Sequence, residues 1–79
     1  MSVDVDVDVV TSPIARIGDT AGMVWHYLEQ NGPMSVTGLA QELGEPRDLV
    51  MQAIGWLARE EKVEITESGR TKTIFLRSS

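Results

Sequence analysis

The sequence contains no cysteine, so a disulfide framework, a thiol nucleophile and the usual zinc-finger ligand sets are excluded. Its one histidine has no second imidazole to complete a metal or acid/base site. Aromatic residues are scarce, two Trp, one Tyr and one Phe, so each Trp carries a large share of any core or interface. No apolar run approaches the roughly 20 residues of a membrane span. The N-terminus alternates Val with Asp, unlike the basic start and unbroken apolar stretch of a signal peptide. Glycine-rich phosphate-loop and dinucleotide patterns are absent. At 79 residues the chain has room for one domain and little for a deep catalytic cleft beside its core. These absences point to a cytoplasmic, non-enzymatic protein with no cofactor, no metal and no small-molecule substrate.

Basic residues are also few. Twelve acids face seven bases, for a formal charge of −5. Three of the acids, Asp4, Asp6 and Asp8, lie in the N-terminal stretch, and every base lies from Arg16 onward. Residues 1–13 read as an acidic flexible tail, or as an added strand with valines on one face and aspartates on the other. Pro13 separates the tail from a domain over 14–79 that is only mildly acidic. Such a domain can carry a local basic face but lacks long-range attraction to phosphate.

The domain shows three helical periods followed by two alternating ones. Ala21, Val24, Trp25 and Leu28 form one apolar face of a helix expected from about Asp19 to Gln30, capped by Asp19 or Thr20. Ile14 and Ile17 are expected beneath its entry, and Asn31-Gly32-Pro33 ends it. Ser35 caps a second helix with Val36, Leu39, Ala40 and Leu43 inward, closed by Gly44. Pro46 opens a third, with Val50, Ala53, Ile54 and Leu57 inward and an end near Glu61. Val63 and Ile65, then Ile74 and Leu76, share faces of two strands joined through Glu67-Ser68-Gly69-Arg70. Met34-Ser35 is a candidate third strand. Helix, helix, short turn, helix and hairpin make an α+β winged helix-turn-helix.

From Ile17 to Leu76 the chain resembles a family of small single-domain bacterial winged helix-turn-helix proteins of unknown function. The resemblance rests on Ile17-Gly18-Asp19-Thr20-Ala21-Gly22 with Trp25, and on Asn31-Gly32-Pro33 with Ser35-Val36. Gly55-Trp56-Leu57-Ala58-Arg59-Glu60 is its most specific stretch, and Lys62-Val63-Glu64 opens the wing. It implies a fold and a cytoplasmic setting but no activity. One departure stands out: Glu61 occupies a position where winged helices often have glycine, so a frayed or differently shaped helix end is expected.

Two surfaces compete for function. For DNA, the outward arc of the third helix would be Arg47, Asp48, Met51, Gln52, Gly55 and Arg59. Arg47 and Gln52 would meet base edges, and Arg70 and Lys72 on the wing would clamp phosphates, helped by Ser68 and Thr71. Glu42, Glu45, Asp48 and Glu67 oppose these bases, which disfavours DNA. For protein docking, Leu49, Ala53 and Trp56 share a flank of the third helix, and Phe75 faces away from Ile74 and Leu76. Leu49 and Trp56 either pack on the first helix as ordinary core or, with Phe75, mark a homodimer or partner surface. A protein-interaction, assembly or regulatory module, dimeric, is the reading this balance favours, with a DNA-binding transcriptional regulator as the alternative. His26, opposite the apolar face beside Glu29 and Gln30, reads as an exposed surface residue.

Overall fold

A computed structural model describes residues 12–77. The Val-Asp stretch, with its expected tail or added strand, lies outside the described residues. Three helices, α1 (Pro13–Asn31), α2 (Val36–Leu43) and α3 (Arg47–Arg59), are followed by a hairpin of β2 (Val63–Ser68) and β3 (Thr71–Leu76). The two-residue strand β1 (Met34–Ser35) joins this hairpin, giving an antiparallel sheet in the order β1-β3-β2.

α1 begins at Pro13, six residues before the expected Asp19. The reason is local: Ser12 is the N-cap, accepting the Ala15 amide at 3.4 Å, and Pro13 occupies the first position, where its missing N–H costs nothing. Thr20 is therefore buried in the helix interior rather than capping it, and Asp19 is a mid-helix residue. Ile14 does not pack beneath the entry but stands 66% exposed; Ile17 is half-buried. The C-terminal end matches its sequence signal. Gly32, at φ 83°, donates its amide to the Leu28 carbonyl at 2.8 Å.

The inward faces of the helices meet one face of the sheet. Leu39, Ile54, Ile74, Val24, Val36 and Val50 are fully buried, with Ala21, Leu28, Ala53, Leu57 and Val63 completing the core. Each helix contributes residues at the spacings that a 3.6-residue period requires. Ile65 shares a face with Val63, as its spacing predicts, and pairs with the buried Ile74, but is itself 40% exposed. Gly38 sits within α2, but not for close helix–helix approach. A Cβ there would fall 2.6 Å from the Met34 sulfur and 3.1 Å from the Ser35 hydroxyl. The glycine lets β1 fold tightly back on the helix that follows it.

The end of α3 corrects the expectation for Glu61. The helix neither frays nor departs from the usual shape, because Glu61 takes the left-handed conformation at φ 61°. Its amide reaches the Ala58 carbonyl at 2.9 Å, and the Lys62 amide reaches Leu57 at 2.9 Å, the two bonds of a Schellman cap. The carboxylate is 3.4 Å from Arg77 Nη1. The left-handed region costs a non-glycine residue roughly 1–2 kcal/mol, more than an exposed ion pair contributes. Glu61→Gly should therefore raise the stability by about 1 kcal/mol in urea unfolding, whereas Glu61→Ala, which keeps the Cβ, should give no gain. Equal stabilisation by both would show that the backbone at position 61 is unstrained.

Candidate nucleic-acid interface

Because β1 pairs with β3 (Met34↔Ile74, Ser35↔Thr73), the start of α2 is held beside the outer end of the hairpin. The hairpin closes through Gly69-Arg70, with Gly69 at φ 61° and Ser68 facing Thr71. That short connection keeps Arg70 and Lys72 close to the sheet instead of on a long loop. Pro46 ends the turn after α2 and places Arg47 in the first turn of α3. These three constraints converge on a cleft of about 160 Å³ lined by Ser35, Val36, Thr37, Arg47, Arg70, Thr71 and Lys72.

The lining holds three cations and three hydroxyl side chains, and no carboxylate. Ser35 accepts the Gly38 amide at 3.0 Å, which leaves Val36 and Thr37 in a first turn whose amides lack intrahelical acceptors. The positive end of the α2 dipole adds to the three side-chain charges. Among the described residues, Arg47 and Arg70 make no ion pair, and Lys72 is 3.5 Å from Glu67 in an exposed bridge. Such bridges contribute at most about 1 kcal/mol, so an incoming anion can replace Glu67.

The other acids expected to oppose DNA are elsewhere. Glu42 faces Tyr27 on α1, and partial desolvation of that phenol, with the Glu42 carboxylate beside it, raises the Tyr27 pKa above its ordinary value. Glu45 lies 3.9 Å from Arg16. Asp48 lines a second cleft, of about 260 Å³, with Pro13, Arg16, Pro46, Leu49 and Gln52.

The six candidate DNA-contacting residues therefore separate. Arg47, Arg70 and Lys72 come together; Gln52 opens on the second cleft; Arg59 is exposed in the last turn of α3. Met51, expected in the outward arc, is half-buried and packs against the core. Ser35 and Thr37 are cleft residues that sequence reasoning does not single out for DNA contact. Their place there depends on β1–β3 pairing, which periodicity along α2 does not report.

The candidate protein-docking residues separate as well. Trp56 is 39% exposed, with its ring over α1, where a Cβ on Gly18 would touch it at 4.0 Å. It borders a groove of about 260 Å³ with Gly18, Gly22, Trp25 and Glu60. Leu49 is half-buried in the cleft with Gln52, and Phe75 is half-buried on the opposite face of the sheet, paired in register with Glu64. His26 is exposed, 3.7 Å from Glu29 and edge-on to Trp25. Among the described residues there is no group of three or more His, Cys, Asp or Glu able to hold a metal, and no helix long and apolar enough to cross a membrane.

Three helices, a hairpin wing and a cleft between wing and helix starts define a winged helix-turn-helix domain, a fold that is typically a non-catalytic DNA- or protein-binding module. More narrowly, residues 13–76 match the family model "Winged helix-turn-helix domain (DUF2582)", and the chain belongs to that family. An uncharacterized protein of Methanocaldococcus jannaschii, MJ1608, is 37% identical over 65 residues, covering 78% of this chain and 91% of its own. The solution structure of BT2368 from Bacteroides thetaiotaomicron is similar at 34% identity and a TM-score of 0.72, covering 78% of this chain and 76% of that one. HOP2, in a structure concerned with its DNA recognition and protein interaction domains, is similar at 30% identity and a TM-score of 0.64. That match covers 73% of this chain and 98% of the HOP2 chain.

The half-exposed Trp56 has a measurable consequence. Trp56→Ala should cost about 1–2 kcal/mol in urea unfolding, well under the roughly 3–5 kcal/mol of a fully buried tryptophan. A destabilisation in the larger range would make Trp56 core.

Proposed function

We propose that this domain is a DNA-binding module that grips the phosphate backbone of a duplex in the cleft between its wing and the starts of α2 and α3. The observation that carries this reading is the convergence of Arg47, Arg70 and Lys72 around the α2 N-terminus with no carboxylate in the lining. Arg presents a planar fork that matches phosphate oxygens, and hydroxyls and helix-start amides complete such contacts. The likeness to HOP2 supports it. Base reading is weak in this scheme: after Arg47 and Asp48, the next exposed polar residue on α3 is Gln52, one turn beyond the Asp48 carboxylate. Backbone contacts then dominate, and they carry little sequence information.

A second reading, protein docking or self-association through the α3 flank, is favoured by one observation, the exposure of Trp56 over α1. A polar change such as Trp56→Ser would then reduce a concentration-dependent mass measured by light scattering while the far-ultraviolet circular dichroism stays native.

The DNA reading is tested by titrating a labelled random-sequence duplex at several salt concentrations. Removing one phosphate-neutralising side chain should lower the slope of log K against log salt by about 0.9. The Arg47→Ala/Arg70→Ala double variant should therefore bind several-fold more weakly to all sequences, with a slope reduced by about 2. Unchanged affinity and slope in the double variant would remove the cleft from the interface.

A further inference from the structure

β2 is an edge strand, with β3 on one side and, among the described residues, no strand on the other. The ladder decides which backbone groups this leaves open. The Arg77 amide donates to the Lys62 carbonyl at 3.0 Å, so these two form a hydrogen-bonded pair one step beyond Val63↔Leu76. Antiparallel alternation then turns the N–H and C=O of Glu64, Thr66 and Ser68 to β3, and those of Val63, Ile65 and Glu67 to the free edge. After the buried Val63, every residue of β2 is exposed, so the helices do not cover the strand. Edge strands are normally guarded by proline, a bulge or charged side chains, lysine above all. β2 has neither proline nor lysine, and its register with β3 is unbroken from Val63 to Ser68. Its two carboxylates are occupied, Glu64 by Arg77 at 3.3 Å and Glu67 by Lys72 at 3.5 Å. Ile65, in the middle of this edge, is 40% exposed.

We propose that β2 pairs with β2 of a second copy, antiparallel about a two-fold axis at Ile65, joining two three-stranded sheets into one. The residues of the strand select both the occupant and the register. In a symmetric antiparallel pair, residues whose backbone groups point outward must face one another, so the axis falls on a residue. At Glu64 or Glu67 it would set a glutamate against itself, and like charges directly opposite destabilise a sheet. At Thr66 it would set the apolar Ile65 against Glu67, and an axis nearer either end shortens the pairing. At Ile65 it sets isoleucine against isoleucine, Val63 against Glu67 and Glu64 against Thr66. The exposed apolar residue is then covered by its own kind, and no carboxylate directly faces another. Glu64 meets its mate only diagonally, each with Arg77 beside it. A foreign extended chain could meet the same backbone groups, but the already paired Glu64 and Glu67 offer no free charge to select it. No β2 residue lines the basic cleft, so the pairing leaves both linings intact and puts two such clefts in one particle. The pairing does not rest on the DNA-binding reading.

One strand edge is a small interface, so the dimer is weak and is measured at millimolar chain and high salt, which screens the −5 charge of each copy. In sedimentation equilibrium the mass of the full natural chain should rise with concentration from one chain to two. Ile65→Lys sets two like charges on the axis and should weaken association about tenfold or more, while the far-ultraviolet circular dichroism stays native. A natural chain that stays monomeric, or a dimer lost in Trp56→Ser but kept in Ile65→Lys, would overturn the pairing. Register is read separately by crosslinking. The chain has no cysteine, so each introduced thiol stands alone. Opposed residues of a hydrogen-bonded pair have Cα atoms about 5.5 Å apart, within reach of a disulfide. Under mild oxidation Ile65→Cys should therefore form an intermolecular disulfide about tenfold faster than Thr66→Cys or Glu67→Cys. Equal rates at the three positions, or a faster rate at Thr66 or Glu67, would overturn the proposal even if Ile65→Lys fails to fold.

Discussion

The architecture depends on β3 being the central strand. Ile74 is fully buried and pairs on one side with Met34 and on the other with Ile65. Two residues of β1 are too few to be stable by themselves, and a lone two-stranded hairpin is marginal in water. Joined through β3 and packed on three helices, they become one unit. That junction carries the start of α2 to the wing, and Gly38 leaves room there for the Met34 side chain, whose thioether a Cβ at this position would force to shift. The pairing of β1 with β3 thus brings the Ser35 and Thr37 end of α2 into one cleft with Arg70 and Lys72.

Much of this is legible from spacing. The i, i+3, i+4, i+7 faces identify all three helices and most of their inward residues, and the period-2 segments around Gly69 identify the hairpin. Even the two-residue strand at Met34-Ser35 can be suspected. What periodicity reads poorly is an element's polar end. The first six residues of α1 escape it because Ser12-Pro13 fits a tail boundary as well as a cap followed by a first-turn proline. The local chemistry is the same until the helix behind it is seen. Glu61 is hidden for a different reason: a left-handed non-glycine residue is disfavoured locally and is held by the two cap bonds and Arg77. Arg77 also reaches Glu64 at 3.3 Å, tying the chain after β3 back to the start of the wing.

The site is half legible. Arg47, Arg70 and Lys72 are identifiable one at a time as outward bases, but their grouping requires sheet register. Counting charges along the chain sets Glu42, Glu45, Asp48 and Glu67 against them as though all shared one surface. In three dimensions, Glu42 turns to α1, Glu45 to Arg16, and Asp48 to the neighbouring cleft. Only Glu67 remains close, as an exposed and replaceable partner of Lys72. A domain with a negative total can therefore present a cleft whose lining holds three cations and no carboxylate.

Net charge also sets what such a surface can do. The excess negative charge gives no steering of DNA from a distance, so association would be slow compared with that of basic winged helices. On the proposed DNA-binding reading the cleft would act locally: two arginines, a lysine and a helix start would address one or two phosphates rather than a long stretch of backbone. Few phosphate contacts mean weak binding per copy and a shallow dependence on salt. A single copy is then poorly suited to hold DNA unaided. Useful affinity would come from joining several such weak contacts in one assembly, where a second contact is made at high effective concentration. The partly exposed Trp56, over α1, and Phe75, half-buried on the opposite face of the sheet, lie outside the cleft, where such contacts would not compete with it. DNA contact and protein contact are in that case complementary demands on one small fold, met on different surfaces.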